Sequence, residues 1–189
     1  MNLNNLRDKA YKAACEHGFH DKQISDEHCL MLVITELSEA IEADRKACRA
    51  NIDAFKRRFA LTVDKPSTEA FKEAFEVFIK DTVEDELSDA CIRLLSLAGL
   101  RGTDLSKCKK FEMLFSYIET DNEDPYSLTE AIFTTCKVIT RGDAIDKTIR
   151  TALSRIIAIC HMRGIDIEWH IEQKMMYNSF RERLHGKNY

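Results

Sequence analysis

Residues 89–105 read DACIRLLSLAGLRGTDL, and residues 151–167 read TALSRIIAICHMRGIDI. The two stretches align residue by residue at a constant offset of 62 positions, and each contains an RGxD segment, at 101–104 and at 163–166. Apolar residues recur three or four positions apart in both, which is the period of an amphipathic helix, and a glycine after such a run is typical of a helix C-terminus. The sequence therefore predicts one helix with its C-terminal stop, present twice.

A shorter match places LSEAI, residues 37–41, on LTEAI, residues 128–132, at an offset of 91. Together the two matches predict an internal repeat of helix pairs, over about 28–105 and about 127–167. Because the two offsets differ by 29 positions, the first copy carries a basic insert, over about 51–79. The alternative is that the helices resemble each other through amphipathic patterning alone.

The composition favours an all-α fold. Gly (6) and Pro (2) contribute 8 of 189 residues, and sheets and loop-rich folds need more turn residues than that. We expect a single all-α domain over 1–189: a helical bundle whose four-helix core consists of duplicated helix pairs, with extra helices around it. The periodicity leaves 51–66 weakly patterned and predicts helices over 3–16, 26–50, 68–100 with a break near 81, 105–118, 127–139, 143–162 and 166–183.

Charge and cysteine content limit the function and the location. The net charge of −4 argues against binding of a nucleic-acid polymer, although a metal or a local basic cluster can still hold a small anion. The seven cysteines form no CxxC pair, and their number is odd, which favours reduced thiols in a cytoplasmic protein. No apolar stretch is long enough for a signal peptide or a membrane span, so we expect neither.

Two acidic pairs carry the functional interpretation. Glu36 and Glu39 lie three positions apart, as do Glu86 and Asp89, so each pair shares one face of a helix beside apolar core positions. Like charges at a core boundary repel and lose hydration, which a bound cation would offset. Carboxylate oxygens suit Mg²⁺, with Mn²⁺ as a substitute. The alternative is a solvated helix face, where such pairs are common.

The repeat sharpens this interpretation. Glu39 keeps an acidic counterpart in Glu130, but the other three acids fall on a serine and two threonines, namely Ser127, Thr148 and Thr151. Only one copy therefore has all four carboxylates, which is the pattern expected for a single active site in a pseudo-symmetric bundle.

The two pairs, Glu36-Leu-Ser-Glu39 and Glu86-Leu-Ser-Asp89, resemble the metal-binding signature of the MazG-like, all-α nucleoside triphosphate pyrophosphohydrolases. The fuller family pattern has an acid before the first Glu, where this chain has Thr35. The resemblance implies an enzyme that hydrolyses a (deoxy)nucleoside triphosphate to the monophosphate and pyrophosphate, through attack of a metal-activated water on the α-phosphorus. It also implies that all four acids bind Mg²⁺ and that Glu39, as the base, and Glu86 are catalytic.

The C-terminal stretch KMMYNSFRERLHGK, residues 174–187, resembles the phosphate-contacting tail of the same family. Lys174, Asn178 and Arg181 follow i, i+4, i+7 spacing, which makes one polar, cationic stripe on the helix; the alternative is an ordinary solvated face. The resemblance assigns phosphate contacts to Lys174, Asn178, Arg181, His185 and Lys187. In the basic insert, a candidate lid over the phosphates consists of Lys56, Arg57 and Arg58, with Lys65.

The duplicated single-chain layout is also similar to the all-α dimeric dUTPases, and leaves the base, the sugar and the oligomeric state (monomer, homodimer or higher homo-oligomer) open. The main alternative function is a non-catalytic helical nucleotide-binding or interaction module. A di-iron bundle would need two ExxH motifs, and only 182–185 provides one. We expect exposed imidazoles at His17 and His20, and Trp169 in a core or interface.

Overall fold

A computed structural model describes residues 1–61, 67–108 and 127–186 of the chain. Across these ranges the protein is all-α, without a strand, so the predicted all-α helical bundle is confirmed. The α-helices are α1 (Leu3–Glu16), α2 (Asp26–Arg45), α3 (Ile52–Leu61), α4 (Ser67–Phe78), α5 (Val83–Arg101), α6 (Leu128–Ile139), α7 (Ile145–Met162) and α8 (Ile167–Ser179), with short 3-10 turns at Leu105–Lys107 and Arg183–Gly186. None of the described helices is both long and apolar enough to cross a membrane.

Side-chain caps define several of the helix ends. The Ser25 side chain accepts the His28 N–H at the start of α2, and Ser127 forms a reciprocal capping box with Glu130 at the start of α6. The predicted break near residue 81 is present, where Asp81 takes a left-handed conformation (φ 60°) between α4 and α5.

The core is built from two helix pairs. α5 packs along α2, α7 packs along α6, and the pairs meet where α2 contacts α6 and α5 contacts α7. α1 and α8 cover the outer side of α5. One apolar cluster runs through this arrangement, from Leu6 in α1 to Ile171 in α8. α5 is thus enclosed by its neighbours, which explains why polar side chains on it can be buried.

Both RGxD segments end their helices in the same way. The glycine is left-handed in each, with φ 66° and 67°, and the residue after it donates to the carbonyl five positions back. These bonds are Thr103 N to Ala98 O, 2.8 Å, and Ile165 N to Cys160 O, 2.9 Å. The local geometry is therefore repeated at the offset of 62, although the duplication of whole segments stays a prediction.

Some helix boundaries were predicted wrongly. α2 ends at Arg45 rather than near residue 50 because Ala47 turns left-handed (φ 55°), and α8 ends at Ser179 rather than near 183. The predicted helix over 105–118 is described only as a 3-10 turn at Leu105–Lys107, and its remainder, 109–118, lies outside the described residues.

The stretch 51–66 contains a helix, α3, that the sequence analysis did not predict. Asn51 accepts the Ala54 N–H at its start, and Phe55 and Phe59 lie one turn apart and stack with their ring centroids 6.5 Å apart. α3 and α4 pack on each other and form a second apolar cluster with α8 and Phe180, the residue after it. We call this the aromatic cluster; its members include Phe55, Phe71, Phe75, Trp169, Tyr177 and Phe180.

Candidate metal and nucleotide site

Three of the four predicted metal ligands lie together between α2 and α5. Each of Glu36, Glu86 and Asp89 has one carboxylate oxygen within 4.8 Å of the others, and we call these three the acid cluster. Glu36 and Glu86 are only 5% and 6% exposed, which explains their perturbed titration. Burial, and then the charge of Asp89, raise the pKa of Glu36 against the opposing effect of Arg93. Burial and the charges of Asp85 and Asp89 raise the pKa of Glu86 to about 8.

The fourth predicted ligand, Glu39, stands on the exposed side of the same turn of α2. Its charge contributes to the raised pKa of both Glu36 and Glu86, so it lies near the acid cluster. The sequence pattern therefore brings four carboxylates to one place, three of them in a group able to hold a cation.

A lysine and a further aspartate lie directly behind the cluster. Lys174 Nζ, on α8, bonds to both oxygens of Asp85, at 2.9 and 2.8 Å, and to Asp89 Oδ2, at 2.8 Å. Burial raises the pKa of Asp85 to about 6, against the opposing effect of Lys174. Burial alone would lower the pKa of Lys174, but the carboxylates of Asp89 and Asp85 outweigh it and hold that pKa above its ordinary value.

Asp85 and Arg93 were missed by the sequence analysis. Asp85 precedes the first acid of its motif and lies four positions before Asp89, on one helix face. Arg93, a further four positions along that face, bonds through its guanidinium to Glu36 across the α2–α5 contact. The i, i+4, i+8 series of two acids and one arginine was the signal available.

The donor set fits a divalent cation. Four carboxylates, including Asp85, lie close together with two cationic partners, Lys174 and Arg93, so the site retains negative charge when Glu86 is ionised. Hard oxygen donors of this kind suit Mg²⁺ or Mn²⁺. Asp81, Asp85 and Glu86 also have carboxylate oxygens within 4.8 Å of one another, but Asp85 is already paired with Lys174.

A cavity of about 150 Å³ opens beside the acid cluster, between α1, α2, α5 and α8. Glu36 and Asp89 form part of its wall, most of which is apolar, from residues such as Ala14, Leu32 and Met175. A mainly apolar pocket with a few charged groups at one side is typical of a small-molecule site.

The C-terminal segment forms part of this cavity. Of the predicted phosphate-contacting residues, Asn178, Arg181 and His185 line it. Leu184 and His185 are left-handed (φ 52° each), and the Leu184 N–H donates to His17 O at 2.9 Å. The segment is thereby tied to the loop after α1, which keeps its polar side chains beside the acid cluster.

The other two predicted phosphate contacts differ. Lys174 is buried and forms ion pairs with Asp85 and Asp89 instead of facing solvent. Lys187 lies outside the described residues. Whether any of the five contacts a phosphate stays a prediction.

The candidate lid residues are exposed on α3, beside the aromatic cluster. Lys56 lies over the Trp169 ring, 5.9 Å from its centroid, and Arg58 is 3.7 Å from Glu73. Lys56, Arg57 and Arg58 are not part of the cavity wall as formed by the described residues. Lys65 falls outside the described ranges.

The expectation of exposed imidazoles at His17 and His20 is wrong. Both side chains are half-buried and line the cavity, and His20 Nε2 is 2.8 Å from Ser96 Oγ. Trp169 packs against Phe55 with ring centroids 5.7 Å apart, which agrees with the expected core position.

The chain matches no protein-family model, and comparison with curated proteins and with solved structures also finds no match.

Proposed function

We propose that this protein is a Mg²⁺-dependent nucleoside triphosphate pyrophosphohydrolase that converts a (deoxy)nucleoside triphosphate and water to the monophosphate and pyrophosphate. The observation that carries the proposal is the convergence of Glu36, Glu86 and Asp89 within 4.8 Å of one another beside a mainly apolar cavity, which Glu36 and Asp89 line. A triphosphate with its base in the cavity would place its charged end at the acid cluster. The resemblance of the two acidic motifs to MazG-like enzymes supports the same reaction.

The acids would serve two roles, metal binding and proton transfer. Glu36, Glu86 and Asp89 would hold Mg²⁺, which supplies neutralisation of the triphosphate and a lowered pKa of the attacking water. Glu39, which is exposed beside the cluster, would accept a proton from the attacking water as the water oxygen bonds to the α-phosphorus. At the same time the bond between the α-phosphorus and the oxygen that bridges it to the β-phosphate would break, which releases pyrophosphate.

The C-terminal side chains would bind the leaving group. Arg181 lines the cavity, and its guanidinium donates to His185 O at 3.1 Å, which leaves further N–H groups for phosphate oxygens. Asn178 and His185 would add further polar contacts. Charge that develops on the departing pyrophosphate would therefore meet a cationic donor held in place by the folded tail.

The test is pyrophosphate release from a panel of NTPs and dNTPs, with Mg²⁺ and with EDTA. We expect metal-dependent release that falls about 10²–10³-fold in Glu36→Gln and Glu86→Gln. Glu172→Gln, which changes an exposed carboxylate on α8, is the matched control and should retain activity.

Thermal unfolding with and without Mg²⁺ distinguishes the alternatives. A Mg²⁺-dependent rise in Tm and nucleotide binding without pyrophosphate release would support a non-catalytic nucleotide-binding module. Absence of Mg²⁺ stabilisation, of nucleotide binding and of release would contradict the proposal and support an interaction module whose acids serve no cation.

A further inference from the structure

The hydrogen bonds of Lys174 use its full donor capacity. An ammonium group has three N–H donors, and Lys174 Nζ has three acceptors: Asp85 Oδ1 at 2.9 Å, Asp85 Oδ2 at 2.8 Å and Asp89 Oδ2 at 2.8 Å. Its side chain is only 7% exposed. A phosphate could therefore reach Lys174 only if one of these bonds broke.

Asp85 is the buried partner that holds Lys174 in place. It is 1% exposed, and besides Lys174 it accepts the Asp81 N–H at 3.0 Å, at the left-handed break before α5. Asp85 is thus held from both sides, and it holds the ammonium in place. Asp89, on the other side of Lys174, belongs to the acid cluster and is 22% exposed at its side chain.

We propose that Lys174, anchored by Asp85, is a positioning residue that holds Asp89 through one oxygen so that the other faces the cation, and that it does not contact the phosphates of the substrate. The proposal concerns the site of the proposed function and differs from the phosphate contact that the family resemblance implies. Without Lys174, the carboxylates of Asp85 and Asp89, one helical turn apart, would repel each other with no ammonium between them, which would displace the Asp89 oxygen that faces the cation.

The first experiment measures Mn²⁺ binding to the full chain without nucleotide, through the electron paramagnetic resonance signal of free Mn²⁺. Loss of a partner that orients a metal ligand typically weakens metal binding 10- to 100-fold, so we expect Lys174→Met to weaken Mn²⁺ binding about 10-fold or more. Lys174→Arg, which keeps a cation, should restore part of the affinity. Lys147→Met, at an exposed lysine paired with Asp143, is the control and should bind as the unsubstituted protein does.

Unchanged or tighter Mn²⁺ binding in Lys174→Met, with a raised KM for the triphosphate, would overturn the proposal and favour a phosphate contact. If Lys174→Met does not fold, Asp85→Asn tests the same idea, because the ammonium loses its anchor while Asp89 and Lys174 remain. We expect Asp85→Asn to weaken Mn²⁺ binding about 10-fold, and Asp81→Asn, which removes a nearby exposed carboxylate, to change it much less. Equal effects of the two would overturn the proposal.

The outcomes separate this inference from the proposed function. Mn²⁺ binding that depends on Lys174, in a protein that releases no pyrophosphate from any nucleotide, would support the positioning role and contradict the enzymatic proposal. Pyrophosphate release that survives with normal Mn²⁺ binding in Lys174→Met would do the reverse. An unsubstituted protein that binds no Mn²⁺ would contradict both.

Discussion

The two helix pairs of the core use equivalent arginines differently. Between α2 and α5, Arg93 bonds to the buried carboxylate of Glu36. Between α6 and α7 the aligned arginine, Arg155, bonds to Thr134 Oγ1 at 2.5 Å. Among the described residues Arg155 Nε has no partner, and burial lowers the pKa of this guanidinium. The contrast shows that a repeated helix pattern does not require the acids, so their burial in only one pair calls for a reason of its own.

That reason, in our proposal, is a cation. Burial of like charges without compensation costs several kcal/mol per group, and the α2–α5 pair holds Glu36, Glu86 and Asp89 in one place. At the aligned positions of the α6–α7 pair, Ser127 caps a helix and Thr148 is a buried neutral side chain. In this proposal the neutral side chains of the α6–α7 pair serve packing and helix capping, whereas the acids of the α2–α5 pair serve cation binding.

Removal of each arginine gives the largest expected contrast in stability. Arg93→Met leaves Glu36 buried without its cation, which we expect to cost about 3 kcal/mol in EDTA and to lower Tm by roughly 6–12 °C for a chain of this size. Arg155→Met leaves no buried carboxylate of the described residues without its cation, so it should lower the free energy of unfolding by about 1 kcal/mol or less. Thermal unfolding followed by circular dichroism measures both. Equal losses would show that the two arginines serve packing alike.

The acid cluster also predicts an unusual pH dependence of the metal-free protein. Because the pKa of Glu86 rises from 4.5 to about 8 on folding, the folded state binds more protons than the unfolded state between these values. The contribution of Glu86 to stability is therefore most favourable below pH 4.5 and is lost as the pH rises through about 8. Glu86→Gln should raise the Tm in EDTA by a few degrees at pH 8.5 and change it little at pH 4.5.

The half-buried His20 and the buried His170 have lowered pKa values and act in the opposite direction, below about pH 6.5. The difference between Glu86→Gln and the unsubstituted protein cancels their effect, since both proteins contain them. Thr148→Val, at the aligned position of α7, is the control and should shift Tm equally at both pH values. A pH-independent effect of Glu86→Gln would show that this carboxyl is not desolvated in the folded protein.

Most of the described helices and the acid cluster could be predicted from the sequence because both depend on local spacing. The 3.6-residue period predicted the described helices other than α3, and the ExxE and ExxD spacings placed Glu36 and Glu86 on helix faces that meet. Lys174 could not be assigned in this way, because its partners are 89 and 85 positions away and only the packing of α8 on α5 brings them together. His20 was misread for the same reason, since its partner Ser96 lies on α5.

The packing of α1 on α5 provides a smaller contrast in stability between the two helix pairs. α1 packs so closely on α5 that a Cβ added at Gly99 would lie 2.3 Å from Tyr11 Cβ. The aligned residue of α7, His161, is exposed. We expect Gly99→Ala to cost about 1–2 kcal/mol despite the better helix propensity of alanine, and His161→Ala to change stability by about 0.5 kcal/mol or less. Urea unfolding measures both, and a stabilising Gly99→Ala would mean that α1 can move away freely.

The smallest effect is expected at Glu130, the acidic counterpart of Glu39. Its Oε2 accepts from Ser127 N at 3.1 Å and from Ser127 Oγ at 2.8 Å, so this carboxylate serves the capping box of α6. Glutamine serves a capping box equally well, and we expect Glu130→Gln to change stability by about 0.5 kcal/mol or less and to leave pyrophosphate release unchanged. Glu39→Gln, the same substitution at the aligned position, should abolish most of the release because it removes the proposed base. A loss of pyrophosphate release in Glu130→Gln comparable to that in Glu39→Gln would mean that both helix pairs contribute to the chemistry. It would contradict the proposal that only the α2–α5 pair carries the active site.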